Sequence, residues 1–152
     1  MFDRRAIGER ISFPNERERG RKMNPSILIV DDDADAREAL RLRLAYSGFE
    51  AVTVGGGQEA IERYGEIKPR IVFLDASMPD VSGFEVSRYI KDQDADPPVT
   101  IVFVSGASSP TLDYVKRCAK FSGGDHFITK PYDAAVLVDL VRRIDDAAAV
   151  MG

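Results

Sequence analysis

The chain has 152 residues, with 21 Lys and Arg against 25 Asp and Glu, a formal net charge of −4, 44% hydrophobic and 30% charged residues. That length suits one domain with a full core, and the composition is that of a globular chain and not a disordered one. A single cysteine, Cys118, excludes an intrachain disulfide and a Cys-rich zinc site; no run approaches the roughly 18 apolar residues of a membrane helix, and the N-terminus lacks the apolar core of a secretory signal, so a cytoplasmic location is expected.

The charge is unevenly spread. Residues 1–24 carry seven basic side chains (Arg4, Arg5, Arg10, Arg17, Arg19, Arg21 and Lys22) against Asp3, Glu9, Glu16 and Glu18, a net of +3, so the remainder carries −7. This segment has no strong period and reads as a basic N-terminal arm. One reading is a solvated tail. Another uses Ile7, Ile11 and Phe13 as apolar contacts of a short helix that docks on the body or on a second protomer. The interspersed acids and the acidic body argue against nucleic-acid binding.

From residue 26 short apolar runs alternate with amphipathic stretches. Ser26–Val30 reads as a first strand. Asp33 is placed to cap a helix carrying Ala36, Leu40 and Leu44 on one face. Phe49–Val54 is the second strand. The Gly55-Gly56-Gly57 run that follows lacks the Gly-Lys-Ser/Thr ending of a phosphate loop and reads as a flexible turn. Ile71–Leu74 and Val99–Val104 are the third and fourth strands. Ser109–Pro110 reads as N-cap and first residue of a helix with Leu112, Val115 and Ala119 on one face. His126–Thr129 is the fifth strand. Asp133 is placed to cap a last helix with the stripe Val136, Leu137, Leu140, Val141 and Ile144, expected to end near Arg143. Five strands alternating with five helices require an α/β fold, a doubly wound parallel sheet with helices on both faces. The expected division is an arm over 1–24, one domain over 25–146 and a tail over 147–152, with no room for a DNA-binding or catalytic second domain.

In an open parallel sheet, function gathers at the carboxyl ends of the strands. Asp31, Asp32 and Asp33 follow the first strand, Asp75 the third, Ser105, Gly106 and Ala107 the fourth, and Lys130–Pro131 the fifth. Carboxylates sharing a pocket repel, and some pKa values rise unless a cation is present. Hard oxygen ligands open to solvent suit Mg²⁺. A metal held by Asp31, Asp32 and Asp75 leaves positions for a phosphoryl group, with Lys130 and Ser105 placed to meet its other oxygens. That is the logic of phosphoryl transfer, with a carboxylate as the acceptor through an acyl phosphate.

The stretches ILIVDDDADAREAL, IVFLDASMPDVSGFEV, VFVSGAS and HFITKPYD resemble the receiver domain of two-component response regulators, over residues 26 to about 146. The resemblance implies a flavodoxin-like strand order 2-1-3-4-5. It implies that Asp75 is the phosphoacceptor, that Asp31, Asp32 and the backbone carbonyl of Ser77 join Asp75 around Mg²⁺, and that Ser105 and Lys130 bind the phosphoryl group. It also implies a cis Lys130–Pro131 bond. The donor would be a histidine kinase or phosphotransfer protein. The output would be a protein target, a phosphorelay or a homodimer, through the face of the fourth helix, fifth strand and fifth helix. Ser105 and Phe127 would form the switch pair. Two positions depart from the commonest pattern: Phe127 stands where Tyr is usual, and Gly106 where Ala is frequent.

Two other classes stay open beside it. An Asp-nucleophile phosphatase needs a second carboxylate two residues after the nucleophile, and Ser77 stands there, so turnover on an external substrate is not expected. A non-phosphorylated receiver-like interaction module is the other, kept open by Phe127. His126 is read as having no phosphodonor or ligand role, Cys118 as packing, and Tyr114 as either a surface contact or a tolerated exposed aromatic.

Overall fold

In the computed structural model, which describes residues 26–106 and 111–151, β1 (Ile27–Val30), β2 (Ala51–Val54), β3 (Ile71–Asp75), β4 (Thr100–Ser105) and β5 (His126–Thr129) form one sheet. Its order is β2-β1-β3-β4-β5, and every neighbouring pair is parallel. The helices are α1 (Ala34–Tyr46), α2 (Gly57–Ile67), α3 (Gly83–Asp92), α4 (Thr111–Phe121) and α5 (Ala134–Met151). The flavodoxin-like order and the strict alternation agree with expectation. The basic arm, Ala107 and the Ser109–Pro110 helix start lie outside the described residues.

β1 is apolar along its whole length, and β3 and β4 are apolar except for Asp75, Thr100 and Ser105 at their ends, because both faces of each strand are covered. The period of two divides the core into two layers. Leu28, Val30, Val72, Leu74, Ile101 and Phe103 pack with Ala60 and Tyr64 of α2, Val86 and Ile90 of α3 and Ala119 of α4. Ile27, Ile29, Ile71, Phe73, Val102 and Val104 pack with Leu40 and Leu44 of α1 and Leu137, Val138, Leu140 and Val141 of α5. Burying each such side chain contributes about 1.5–3 kcal/mol before the entropy of ordering is subtracted. The sheet is therefore a rigid platform, and the loops at its carboxyl edge are held by it.

The caps are where the residue types put them. Asp33 accepts from the backbone N–H of Asp35 at 3.0 Å and of Ala36 at 3.3 Å, and Asp133 accepts from that of Ala135 at 2.9 Å. Three local expectations need correction. First, α5 does not end near Arg143 but runs to Met151. Ala147, Ala148 and Ala149 are strong helix formers, and no Gly or Pro stands between Pro131 and Gly152. The boundary drawn after residue 146 thus falls inside a helix. Second, Val136 is 49% exposed, while Val138 is buried. At about 100° per residue both valines lie roughly 100° from the centre of the stripe set by Leu137, Leu140, Val141 and Ile144, so periodicity alone is indifferent between them. Packing against the sheet selects Val138. Third, the Gly55–Gly57 run is a close approach as well as a turn, because Gly57 already opens α2.

Candidate functional site

Three loops at the carboxyl edge deliver the predicted cluster to one place. Asp31 follows β1, and its backbone N–H continues the sheet pairing by donating to the Val54 carbonyl at 3.3 Å. Its side-chain Oδ1 accepts from the Asp33 N–H at 2.9 Å, which turns the carboxylate inward. Asp75 is the last residue of β3, and its Oδ1 accepts from the Ser77 N–H at 3.0 Å. Asp31 and Asp75 are each only 8% exposed, whereas Asp32 is exposed. Carboxylate oxygens of Asp31, Asp32 and Asp75 lie within 4.8 Å of one another.

Lys130 closes the far side. Its Nζ donates to Asp31 Oδ2 at 3.0 Å and lies 3.8 Å from Asp75 Oδ2. Its position is fixed by its own N–H, which donates to the Ser105 carbonyl at 2.7 Å, and the Lys130–Pro131 bond is cis, as expected. Ser105 ends β4 at 2% exposure, beside Thr129 of β5. Phe127 is half-buried on β5, level with Phe103, and packs against the layer that includes α4. The Lys116 ammonium lies 5.8 Å from its ring centre.

The electrostatics follow from this crowding. The Asp75 carboxyl is raised from 3.8 to about 6: burial is the largest cause and the Asp31 and Asp32 charges add to it, against the pull of the Ser77 N–H and the Lys130 charge. Burial opposes the charge on Lys130, but the Asp31 hydrogen bond and the charges of Asp75 and Asp31 outweigh it and hold the ammonium above its usual range. One ammonium thus faces three carboxylates. Hard oxygen donors with excess negative charge, one of them open to solvent, fit a small divalent cation that keeps some of its waters. Asp31, Asp32 and Asp75 are the residues that could hold it.

Some supporting residues escaped the sequence reading. Arg37 donates from Nη1 to the Asp31 carbonyl at 3.1 Å, bracing the β1–α1 turn from one helical turn along α1. Tyr132, directly after the Lys130–Pro131 pair, lines a small cavity together with Asp31, Arg37 and Asp75. Gly83 opens α3 with its Cα against the Asp75 carbonyl: a Cβ there would lie 2.2 Å from that oxygen. Asp80 leaves the β3–α3 loop to cap a different helix. Its carboxylate accepts from the Gly57 N–H at 3.3 Å and the Gln58 N–H at 3.0 Å, at the start of α2. A Cβ on Gly56 would stand 2.8 Å from the Asp80 carboxylate, and one on Gly57 would stand 2.6 Å from the Val81 carbonyl. The glycine run is therefore the contact surface that fastens the loop carrying Ser77. A signal was present in the sequence: Gly56 at the N-cap position supplies no side-chain oxygen, so another residue must satisfy the orphan N–H groups.

The model of the response regulator receiver domain family matches residues 27–142 of the chain. The chain is 37% identical over 133 residues to the DNA-binding response regulator MtrA of Mycobacterium tuberculosis, an alignment covering 85% of this chain and 56% of MtrA. It thus spans about half the length of the curated relatives it matches. A CheY-like receiver domain protein from Methanospirillum hungatei superposes with a TM-score of 0.73 at 23% identity, covering 84% of this chain and 98% of that one. The receiver domain of Ssk1 from Saccharomyces cerevisiae, solved together with the histidine phosphotransfer protein Ypd1, superposes at 0.67 with 28% identity over 76% of this chain and 85% of that one. With its five-stranded sheet and the carboxylates gathered at the carboxyl edge, the chain belongs to the response regulator receiver domain family of two-component systems.

Proposed function

We propose that this protein accepts a phosphoryl group on Asp75 and that the modification switches a protein-interaction surface. The observation that carries the reading is the buried Asp75 carboxylate at the end of β3, within reach of two more carboxylates and of the Lys130 ammonium. A histidine kinase or a histidine phosphotransfer protein is the donor. The pairing of the similar Ssk1 receiver domain with Ypd1 supports that class of partner. The Ser77 N–H holds Oδ1 of Asp75, leaving Oδ2 to attack phosphorus. The new P–O bond forms as the donor's bond to phosphorus breaks, and the donor departs with that electron pair. The product is an acyl phosphate. Asp31, Asp32 and Asp75, with the Ser77 carbonyl, would hold Mg²⁺, which would supply charge neutralisation there. Lys130 moves its hydrogen bond from Asp31 to a phosphoryl oxygen, and the Ser105 hydroxyl donates to another.

Withdrawal of Ser105 toward the phosphoryl group opens room for the Phe127 ring. Output then passes through the face of α4, β5 and α5, to a protein target, a further phosphotransfer step or a second copy of the chain, with the basic arm a candidate part of that contact. Moving such an equilibrium from 1:99 to 99:1 requires about 5.5 kcal/mol, a sum within reach of the hydrogen bonds and charge pairing that the phosphoryl group makes with Lys130, Ser105 and Mg²⁺. Turnover on external phosphomonoesters is not expected, since Ser77 stands where a phosphatase of this chemistry needs a general acid. The test is beryllofluoride with Mg²⁺, followed by amide shifts. Shifts should centre on Asp75, Ser105 and Lys130 and be absent in Asp75→Asn; a response of equal size in that variant contradicts the assignment.

A further inference from the structure

Between α3 and α4 lies an apolar groove that the phosphoacceptor chemistry does not use. Phe84 and Arg88 of α3 and Tyr114, Arg117, Cys118 and Phe121 of α4 line a cavity of about 430 Å³. Its walls come from α3 and α4, whereas Lys116 of α4 lies over Phe127 of β5 and is not part of it. Phe121 is 83% exposed and Tyr114 64% exposed, two of the few large apolar side chains among the described residues left in solvent. The Arg88 guanidinium lies 5.8 Å from the Phe121 ring centre. The groove is held open by fixed helices: Ser87 of α3 donates to the Ser122 carbonyl at the end of α4 at 2.9 Å, and Phe84 packs on Phe103 of β4 with ring centres 5.6 Å apart.

The charge around it is the reverse of the charge of the body. Residues 25–152 carry a net −7, yet the charged side chains that line the groove are Arg88 of α3 and Arg117 of α4, with no carboxylate among its lining residues. An exposed apolar patch rimmed by one sign of charge marks an interaction site. We propose that this groove docks an acidic, amphipathic segment of another protein, with one or two large apolar side chains entering between Phe84, Tyr114 and Phe121 and carboxylates meeting Arg88 and Arg117. The complementarity chooses the occupant. The chain's own arm is basic and would be repelled by the arginines, and an anionic lipid surface would be repelled by the acidic body. A concave cleft also suits inserted side chains better than a flat bilayer.

The test uses the full, unmodified chain and a fluorescent peptide with Leu and Phe at helical spacing in an Asp/Glu background. Because no phosphorylation is involved, failure here leaves the role of Asp75 standing, and loss of phosphorylation leaves the groove standing. The expected result is saturable binding, with amide shifts on α3 and α4. Arg88→Glu/Arg117→Glu should weaken it at least tenfold, as should Phe121→Ser. The same double variant should gain affinity for a peptide in which Lys replaces Asp and Glu, a rescue that a misfolded protein could not show. Absence of saturable binding, binding untouched by the charge reversal, or shifts confined to other elements would overturn the proposal. So would co-sedimentation with phosphatidylglycerol vesicles that the same two variants abolish, which would assign the groove to lipid.

Discussion

Replacing Asp75 by Asn should stabilise the protein when no divalent cation is present. In the folded state burial and the Asp31 and Asp32 charges lift the Asp75 carboxyl from 3.8 to about 6, against the pull of Ser77 and Lys130. A folded-state pKa above the unfolded value means that the folded protein prefers the neutral acid. Stability from this residue is therefore full below about pH 3.8 and is lost as pH rises through 6. Two pH units correspond to about 3 kcal/mol at pH 7.5, falling to about 1 kcal/mol at pH 4.5. Asn has the shape of the neutral acid and avoids the cost. Thermal unfolding in EDTA at the two pH values reads it directly. For a domain of this length the neutral-pH gain corresponds to a rise in Tm of roughly 6–12 °C. An Asp75→Asn protein no more stable than wild type at pH 7.5, or one whose advantage is the same at pH 4.5, would refute the electrostatic reasoning.

The same geometry makes further predictions. Adding Mg²⁺ should raise the Tm of wild type, by about 2.7 kcal/mol of stabilisation at a hundred times its Kd, and should raise that of Asp75→Asn much less; equal gains would separate the cation from Asp75. Lys130→Met should destabilise by about 1–3 kcal/mol in urea titrations at pH 8 and by less at pH 5, since it leaves the buried Asp31 and Asp75 charges uncompensated; a loss independent of pH would place its role in packing. Asp80→Ala should cost about 1 kcal/mol and speed amide exchange at Gly57 and Gln58, which lose their cap; unchanged exchange there would contradict the capping role. Gly83→Ala should cost about 2–4 kcal/mol, because its Cβ would lie 2.2 Å from the Asp75 carbonyl; a neutral effect in denaturant titrations would contradict the close approach.

The elements and the cluster were legible because each rests on a local signal. The strands are short Val-, Ile- and Phe-rich runs, and Asp31, Asp32, Asp75, Ser105 and Lys130 each stand at or just past the end of one of them. Once the alternation fixes a parallel sheet, those ends must share an edge. What stayed illegible depends on contacts between distant segments. Asp80 caps a helix that starts 23 residues earlier, so no local pattern announces it. Gly56 and Gly57 look like a turn until Asp80 and Val81 are seen pressed against them. Val136 and Val138 are equivalent by period, and only the sheet beneath α5 distinguishes them. The groove between α3 and α4 was present in outline as Tyr114 off the apolar stripe of its helix, but its meaning depends on Arg88 and Phe84 from another element.

The central claim is that Asp75 is the phosphoacceptor, and mass spectrometry of the protein after treatment with acetyl phosphate tests it most directly. The account predicts one added phosphoryl group, dependent on Mg²⁺, mapping to the peptide that contains Asp75 and absent from Asp75→Asn. Modification at another residue, or equal modification of the Asn variant, would contradict it.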